Sequence, residues 1–143
     1  MKISQLKKHS IDTDFISKEF DIENIDSLRD LSDKMIQRTY TYISLLEDLL
    51  QPDSIASMHE ANFLRMHLTI KINDVYKKLM KLNRNLLLFR LNYEENKFKD
   101  VIANYIKSWN EIKPDLNIIL TEMKDSWNKT VIHKNEGGYL GWK

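Results

Sequence analysis

Apolar residues along this chain recur at three- and four-residue steps, the period of a helix that buries one face. The first stripe is Leu28, Leu31, Met35, Tyr42, Leu46 and Leu49, with one step skipped between Met35 and Tyr42. Ser27-Leu28-Arg29-Asp30 has the form of a capping box, in which hydroxyl and carboxylate satisfy orphan backbone N–H groups. Pro52 stops the helix near Leu50, because a residue before proline is driven out of helical space. A helix over 28–50 follows.

The next stripe is the most regular: Leu64, Leu68, Ile72, Val75, Leu79, Leu82, Leu86, Phe89 and Tyr93. Its alternating four- and three-residue steps give an a/d heptad, which predicts shallow-angle packing against neighbours. Asp53 or Ser54 can cap its start, and Ser57-Met58-His59-Glu60 is a second candidate capping box. Read as one long central helix over about 54–92, it would span roughly 58 Å at the helical rise per residue. Near its end, Leu86-Leu87-Leu88-Phe89-Arg90-Leu91 is apolar almost all round, so it is covered by its own bundle or by another chain.

Beyond this point the boundaries stay open. Asn92 with Glu95 can cap a new helix, but neither Gly nor Pro forces a break there. Phe98, Val101, Ile102, Tyr105, Trp109 and Ile112 form a further stripe. Pro114 suits the first position of another helix, with Asp115 behind it and Leu116, Leu120, Met123, Trp127 and Val131 as its apolar face. The alternative is a single helix kinked at Pro114. Residues 1–26 are acidic, with a short helix expected from Asp14 to Phe20 that places Phe15, Ile16 and Phe20 on one side.

The glycines sharpen the fold class. All three (Gly137, Gly138 and Gly141) lie in the last seven residues, so residues 1–136 contain none. Sheet proteins use glycine for turns with positive φ, and its absence argues for helices throughout. The expectation is an all-α single domain over 1–136, either a four-helix bundle or an elongated helical hairpin, with a non-helical tail at 137–143. Three Ala beside 17 Lys, 12 Asn and 16 Ile point to an AT-rich genome, and from this and the small size to a phage or mobile-element accessory protein.

Several chemistries find no support. Without Cys there is no disulfide framework, thiol nucleophile or thiolate metal site. No run approaches the length of a membrane span, and the start, MKISQLKKHS, lacks a signal peptide's apolar core. A cytoplasmic protein that does not engage membranes is expected. Phosphate loops need glycines before a helix, which the C-terminal glycines do not provide. His59 and His67 stand eight residues apart and do not form a zinc-helix pair, while His9 and His133 lie elsewhere. Neither Glu-x-x-His nor a G-x-S-x-G elbow occurs. No enzyme, cofactor, metal or small-molecule substrate is indicated.

Charge is segregated more than the net +1 suggests. Residues 12–33 hold eight acids and two bases, whereas residues 65–90 hold seven bases and one acid. Within the basic stretch, Lys77, Lys81 and Arg84 form an outward ridge, with Lys71 and Lys78 beside it. Such a ridge can track phosphates without reading sequence, or be a solvated face neutralised by acidic protein. The tail residues Tyr139, Leu140 and Trp142 follow a flexible Gly-Gly and can dock in a partner's pocket or fold back over the bundle. The stripe aromatics Tyr42, Phe89, Trp109 and Trp127 read as core. The functional expectation is a non-catalytic interaction or assembly module, self-associating or binding another protein, with Leu86, Leu87, Leu88, Phe89 and Leu91 as its candidate interface. The alternative is a nucleic-acid-binding bundle that uses the basic ridge.

Overall fold

The computed structural model describes residues 28–131. Over that range the chain is all-α. Four helices follow in order: α1 (Leu28–Leu50), α2 (Ile55–Leu64), α3 (Thr69–Leu91) and α4 (Phe98–Ser126), with one 3₁₀ turn at Glu95–Lys97 before α4.

The polar contacts between helices fix their directions. Asp33 pairs with Arg90 and Glu47 accepts from Tyr76, so a fourteen-residue advance along α1 matches a fourteen-residue retreat along α3. Phe98 stacks on Phe89 and Asp115 pairs with Lys71, which runs α4 antiparallel to α3 as well. α1 and α4 are therefore parallel, each packed along α3. The interior is lined by Leu31, Met35, Leu46, Val75, Leu79, Leu86, Ile102 and Ile119, all essentially inaccessible to water. Each such side chain contributes roughly 1.5–3 kcal/mol on burial.

The stretch 54–92 is not one helix, which corrects the expectation of a long central rod. Leu68 leaves helical geometry at φ −118°, and the backbone turns through residues 65–68. The register explains why. With Glu47 opposite Tyr76, the end of α1 at Leu50 is level with Asn73 of α3. A straight helix would carry Ile55 about 27 Å beyond Asn73. The five Cα steps from Leu50 to Ile55 reach at most about 18 Å. The chain must bend, and it does so where Leu64 and Leu68 both stay buried. The heptad stripe is thus continuous in the core although the helix is not. α2 then closes the end of the bundle against α1 and the C-terminal half of α4.

Local chemistry sets the remaining boundaries. Ser54 caps α2: its Oγ accepts from the Ser57 N–H, and the Ser57 Oγ accepts from the Ser54 N–H. The capping box therefore begins at Ser54, and Ser57, proposed as the start of a second box, is instead the closing member of this one. Between α3 and α4 the chain breaks after Asn92, whose N–H donates to Leu88. The reversal is held by aromatic packing, Phe89 lying 5.2 Å from Tyr93 and 4.6 Å from Phe98 between ring centres. Pro114 lies inside α4, so one helix stands where two were the first choice. The step skipped in the α1 stripe is filled by Thr39, fully buried, whose hydroxyl donates to the Met35 carbonyl at 2.7 Å.

Candidate interaction surface on the third helix

Only one face of α3 points into the core. Ile72, Val75, Leu79, Leu82, Leu86 and Phe89 occupy it, at helical spacing. Flanking positions bind the neighbours: Tyr76 and Arg90 reach α1, and Lys71 reaches α4. The opposite side carries Ile70, Lys77, Lys81, Arg84, Leu88 and Leu91, all exposed. It is apolar at both ends and basic in the middle.

The candidate interface separates into two groups. Leu86 and Phe89 are 1% and 8% exposed and belong to the core, so they are not available to a partner, contrary to expectation. Leu87, Leu88 and Leu91 are 42%, 58% and 79% exposed. A run that is apolar all round is divided by helix geometry, since residues one apart point about 100° from each other. The bundle covers one side of the run, and among the described residues nothing covers the other.

The basic ridge is also reduced. Lys71 is half-buried and its Nζ donates to Asp115 at 3.0 Å, so its charge is spent within the bundle. Lys78 lies 3.6 Å from Asp74 one turn earlier. Lys77, Lys81 and Arg84 remain exposed, with no carboxylate partner among the described residues. Arg84 is held by its neighbour, its Nη1 donating to Asn83 Oδ1 at 2.7 Å. Beside this ridge, Tyr76 donates to Glu47 Oε2 at 3.0 Å. That hydrogen bond, then burial and the nearby carboxylate, hold the phenol pKa above its ordinary value, with Arg84 opposing.

A second polar cluster, at the closed end of the bundle, had no local signal. His59 is buried on α2, and its Nε2 lies 2.6 Å from the Ser126 carbonyl at the end of α4. A carbonyl only accepts, so Nε2 carries the hydrogen. Trp127 packs against the imidazole with the rings tilted and their centres 4.4 Å apart, and its indole N–H donates to Glu60 at 3.0 Å. Trp127 is 46% exposed, so it is an end-cap and not the core residue its stripe suggested. His67 sits in the turn after α2 and reaches Glu122 at 3.2 Å.

Among the described residues no three His, Asp or Glu side chains gather to hold a metal ion, and no helix is long and apolar enough to cross a membrane. The tail candidates Tyr139, Leu140 and Trp142, the acidic segment 1–26 and the helix expected within it from Asp14 to Phe20 lie outside the described residues. Comparison with known protein families, curated proteins and solved structures finds no match to this chain.

Proposed function

We propose that this chain is a non-catalytic helical interaction module that self-associates through the outer side of the α3 C-terminus. One observation carries the reading: Leu87, Leu88 and Leu91 stand at the C-terminal end of α3 with 42%, 58% and 79% of their surface in water. Scattered single leucines on a surface are ordinary, but three on one helix turn and a half form a contiguous patch. Packing it against a second copy removes that apolar area from water with little ordering cost, since a helix already holds the side chains in place.

The test is light scattering on the purified chain. The wild type is expected to run as a defined oligomer at low and high salt. Leu87→Lys with Leu91→Lys is expected to give a monomer of unchanged helicity. A monomeric wild type overturns the reading. Unfolding of the double variant would instead make these residues intramolecular core.

A second reading rests on a separate observation, the exposed trio Lys77, Lys81 and Arg84 without carboxylate partners among the described residues. Here the ridge would follow a nucleic-acid backbone through sequence-blind contacts to phosphate. Lys77→Glu with Lys81→Glu would then abolish binding, and each lost phosphate contact would reduce the salt slope by about one. Unchanged binding in that variant would reject this reading.

A further inference from the structure

α3 and α4 run antiparallel, and their shared border is tied at both ends. Lys71 pairs with Asp115 at one end, and Phe89 stacks on Phe98 at the other. Between these ties the border opens into a cleft of about 220 Å³. Lys78, Lys81 and Asn85 line it from α3, and Asn104, Ser108 and Glu111 from α4, above buried Leu82 and Ile112. Lys78 turns to Asp74 on its own helix, at 3.6 Å. Lys81, Asn85, Asn104, Ser108 and Glu111 have no hydrogen-bond or ion-pair partner among the described residues. Elsewhere along α3 the border groups are paired, Arg90 with Asp33 and Tyr76 with Glu47. Asn73 and Asn83 are hydrogen-bonded where Asn85 is not. Thr69 and Thr121 return their hydroxyls to the carbonyl one turn back, which half-buried Ser108 does not.

Charge is ordered along the cleft. In the register set by the two ties, Glu111 stands level with Val75 and Lys81 level with Tyr105. The carboxylate and the ammonium therefore start from backbone positions about 9 Å apart along the helices. Ser108 lies between them, level with Lys78, while Asn104 and Asn85 lie beyond Lys81. Lys77 and Arg84, both exposed, flank Lys81 one turn to either side and raise the positive potential at that end. The charge of Lys78 is offset by Asp74.

We propose that this cleft binds a small phosphate ester bearing hydroxyl groups, a sugar or polyol phosphate. Lys81, with the side-chain amides of Asn85 and Asn104, takes the phosphate at the positive end. Glu111 can only accept, so it takes a hydroxyl of the ligand at the other end. Ser108 both donates and accepts, and serves the hydroxyls between. An inorganic anion leaves Glu111 unused, and an uncharged polyol leaves Lys81 unused. The volume falls below the roughly 300–1,000 Å³ of sites for drug-sized ligands, so the occupant is a single small molecule. The site is separate from the leucine patch at 87–91 and shares only Lys81 with the exposed basic trio.

The test follows the NMR signals of the full chain during titration with ribitol 5-phosphate, which has no aldehyde to react with lysine. Inorganic phosphate and ribitol serve as separate probes. Saturable shifts centred on the cleft are expected with ribitol 5-phosphate at millimolar concentration or below, and binding about tenfold weaker with either part alone. Glu111→Gln is expected to reduce ribitol 5-phosphate to the affinity of inorganic phosphate. Asn104→Ala with Ser108→Ala is expected to weaken it about tenfold, with helicity unchanged because neither side chain is buried. Absence of saturable shifts overturns the proposal, as does equal binding of ribitol 5-phosphate and inorganic phosphate. Binding that Lys77→Glu abolishes while Asn104→Ala with Ser108→Ala leaves it intact overturns it too, because the ligand then sits on the outer ridge.

Discussion

Thr39 and Tyr105, sixty-six positions apart, meet hydroxyl to hydroxyl at 3.0 Å in the buried interior, a polar bridge between α1 and α4. Thr39 donates its hydrogen to the Met35 carbonyl, so Tyr105 donates to Thr39. A second approach, 3.4 Å from the Tyr105 hydroxyl to the same carbonyl, is longer. Both hydroxyls are thus hydrogen-bonded, and the pair fixes the relative height of α1 and α4.

Tyr105→Phe removes the donor and leaves the ring. A net loss of about 0.5–1.5 kcal/mol is expected, read from the urea midpoint. Thr39→Val should cost a similar amount, because the Tyr105 hydroxyl keeps its approach to the Met35 carbonyl at 3.4 Å. In the double variant the costs should fall short of additive, since either single variant already breaks the shared bond. Strict additivity would show that the two hydroxyls do not interact.

His59 and the Ser126 carbonyl make the corresponding link at the closed end. His59→Phe keeps a ring beside Trp127 but removes one of two donors to the Ser126 carbonyl, which still accepts from the Lys129 N–H at 3.0 Å, so a net cost of about 0.5–1.5 kcal/mol is expected. His59→Ala loses the ring contact as well, and Trp127 emission should shift to longer wavelength only in that variant. An equal shift in both would mean that the hydrogen bond, not the ring contact, positions the indole.

These two links mark the boundary of what the sequence makes legible. The 28–50 helix and the core stripe from Leu64 to Phe89 can be read from periodicity and punctuation, whereas the break near Asn92 stays open because neither Gly nor Pro marks it. The bend at 65–68 cannot be read, because it arises from the reach of the 51–54 linker against a register that only the folded chain defines. Pro114 misleads for a related reason: burial of Ile112, Leu116 and Ile119 on one line outweighs a missing hydrogen bond. Of the candidate interface, the apolar run at 86–91 is visible in advance, but its division into core and surface awaits the position of the neighbours. Burial of the polar residues Thr39, His59 and Ser126 leaves no trace in apolar spacing.

Pro114 stands exposed within the continuous α4 and has no N–H to offer the carbonyl one turn back. Pro114→Ala restores that donor, and proline is about 3 kcal/mol poorer than alanine inside a helix. A gain in stability up to that size is expected, seen as a rise in Tm. No gain would mean that the surrounding helix has already absorbed the cost.

Tyr76 gives a pH signature. Its phenol donates to Glu47, and the pKa lies above the ordinary value of 10.0, chiefly because ionisation breaks that bond. A folded-state pKa raised above the unfolded one contributes stability that is fully present below the unfolded value and is lost as pH rises through the folded one. The stability difference between wild type and Tyr76→Phe should therefore be constant through neutral pH and shrink above pH 10.0. A difference that stays constant into alkali would show that the contact with Glu47 contributes nothing.

Leu86 and Leu88 test the division of α3 most directly. They stand two positions apart at 1% and 58% exposure, with the same side chain. Leu86→Ala opens a cavity among core residues and should cost about 2–5 kcal/mol. Leu88→Ala in the isolated chain should fall within about 0.5 kcal/mol of wild type, as for other surface changes. Under self-association the contrast acquires a concentration dependence. Leu88→Ala then lowers Tm only where the wild type is assembled, because an oligomer's apparent stability rises with protomer concentration. Denaturation curves for both variants at two widely spaced concentrations separate the cases. A cost at Leu88 that is independent of concentration would place it in the fold of one chain, and a cost that grows with concentration would place it in the contact between chains.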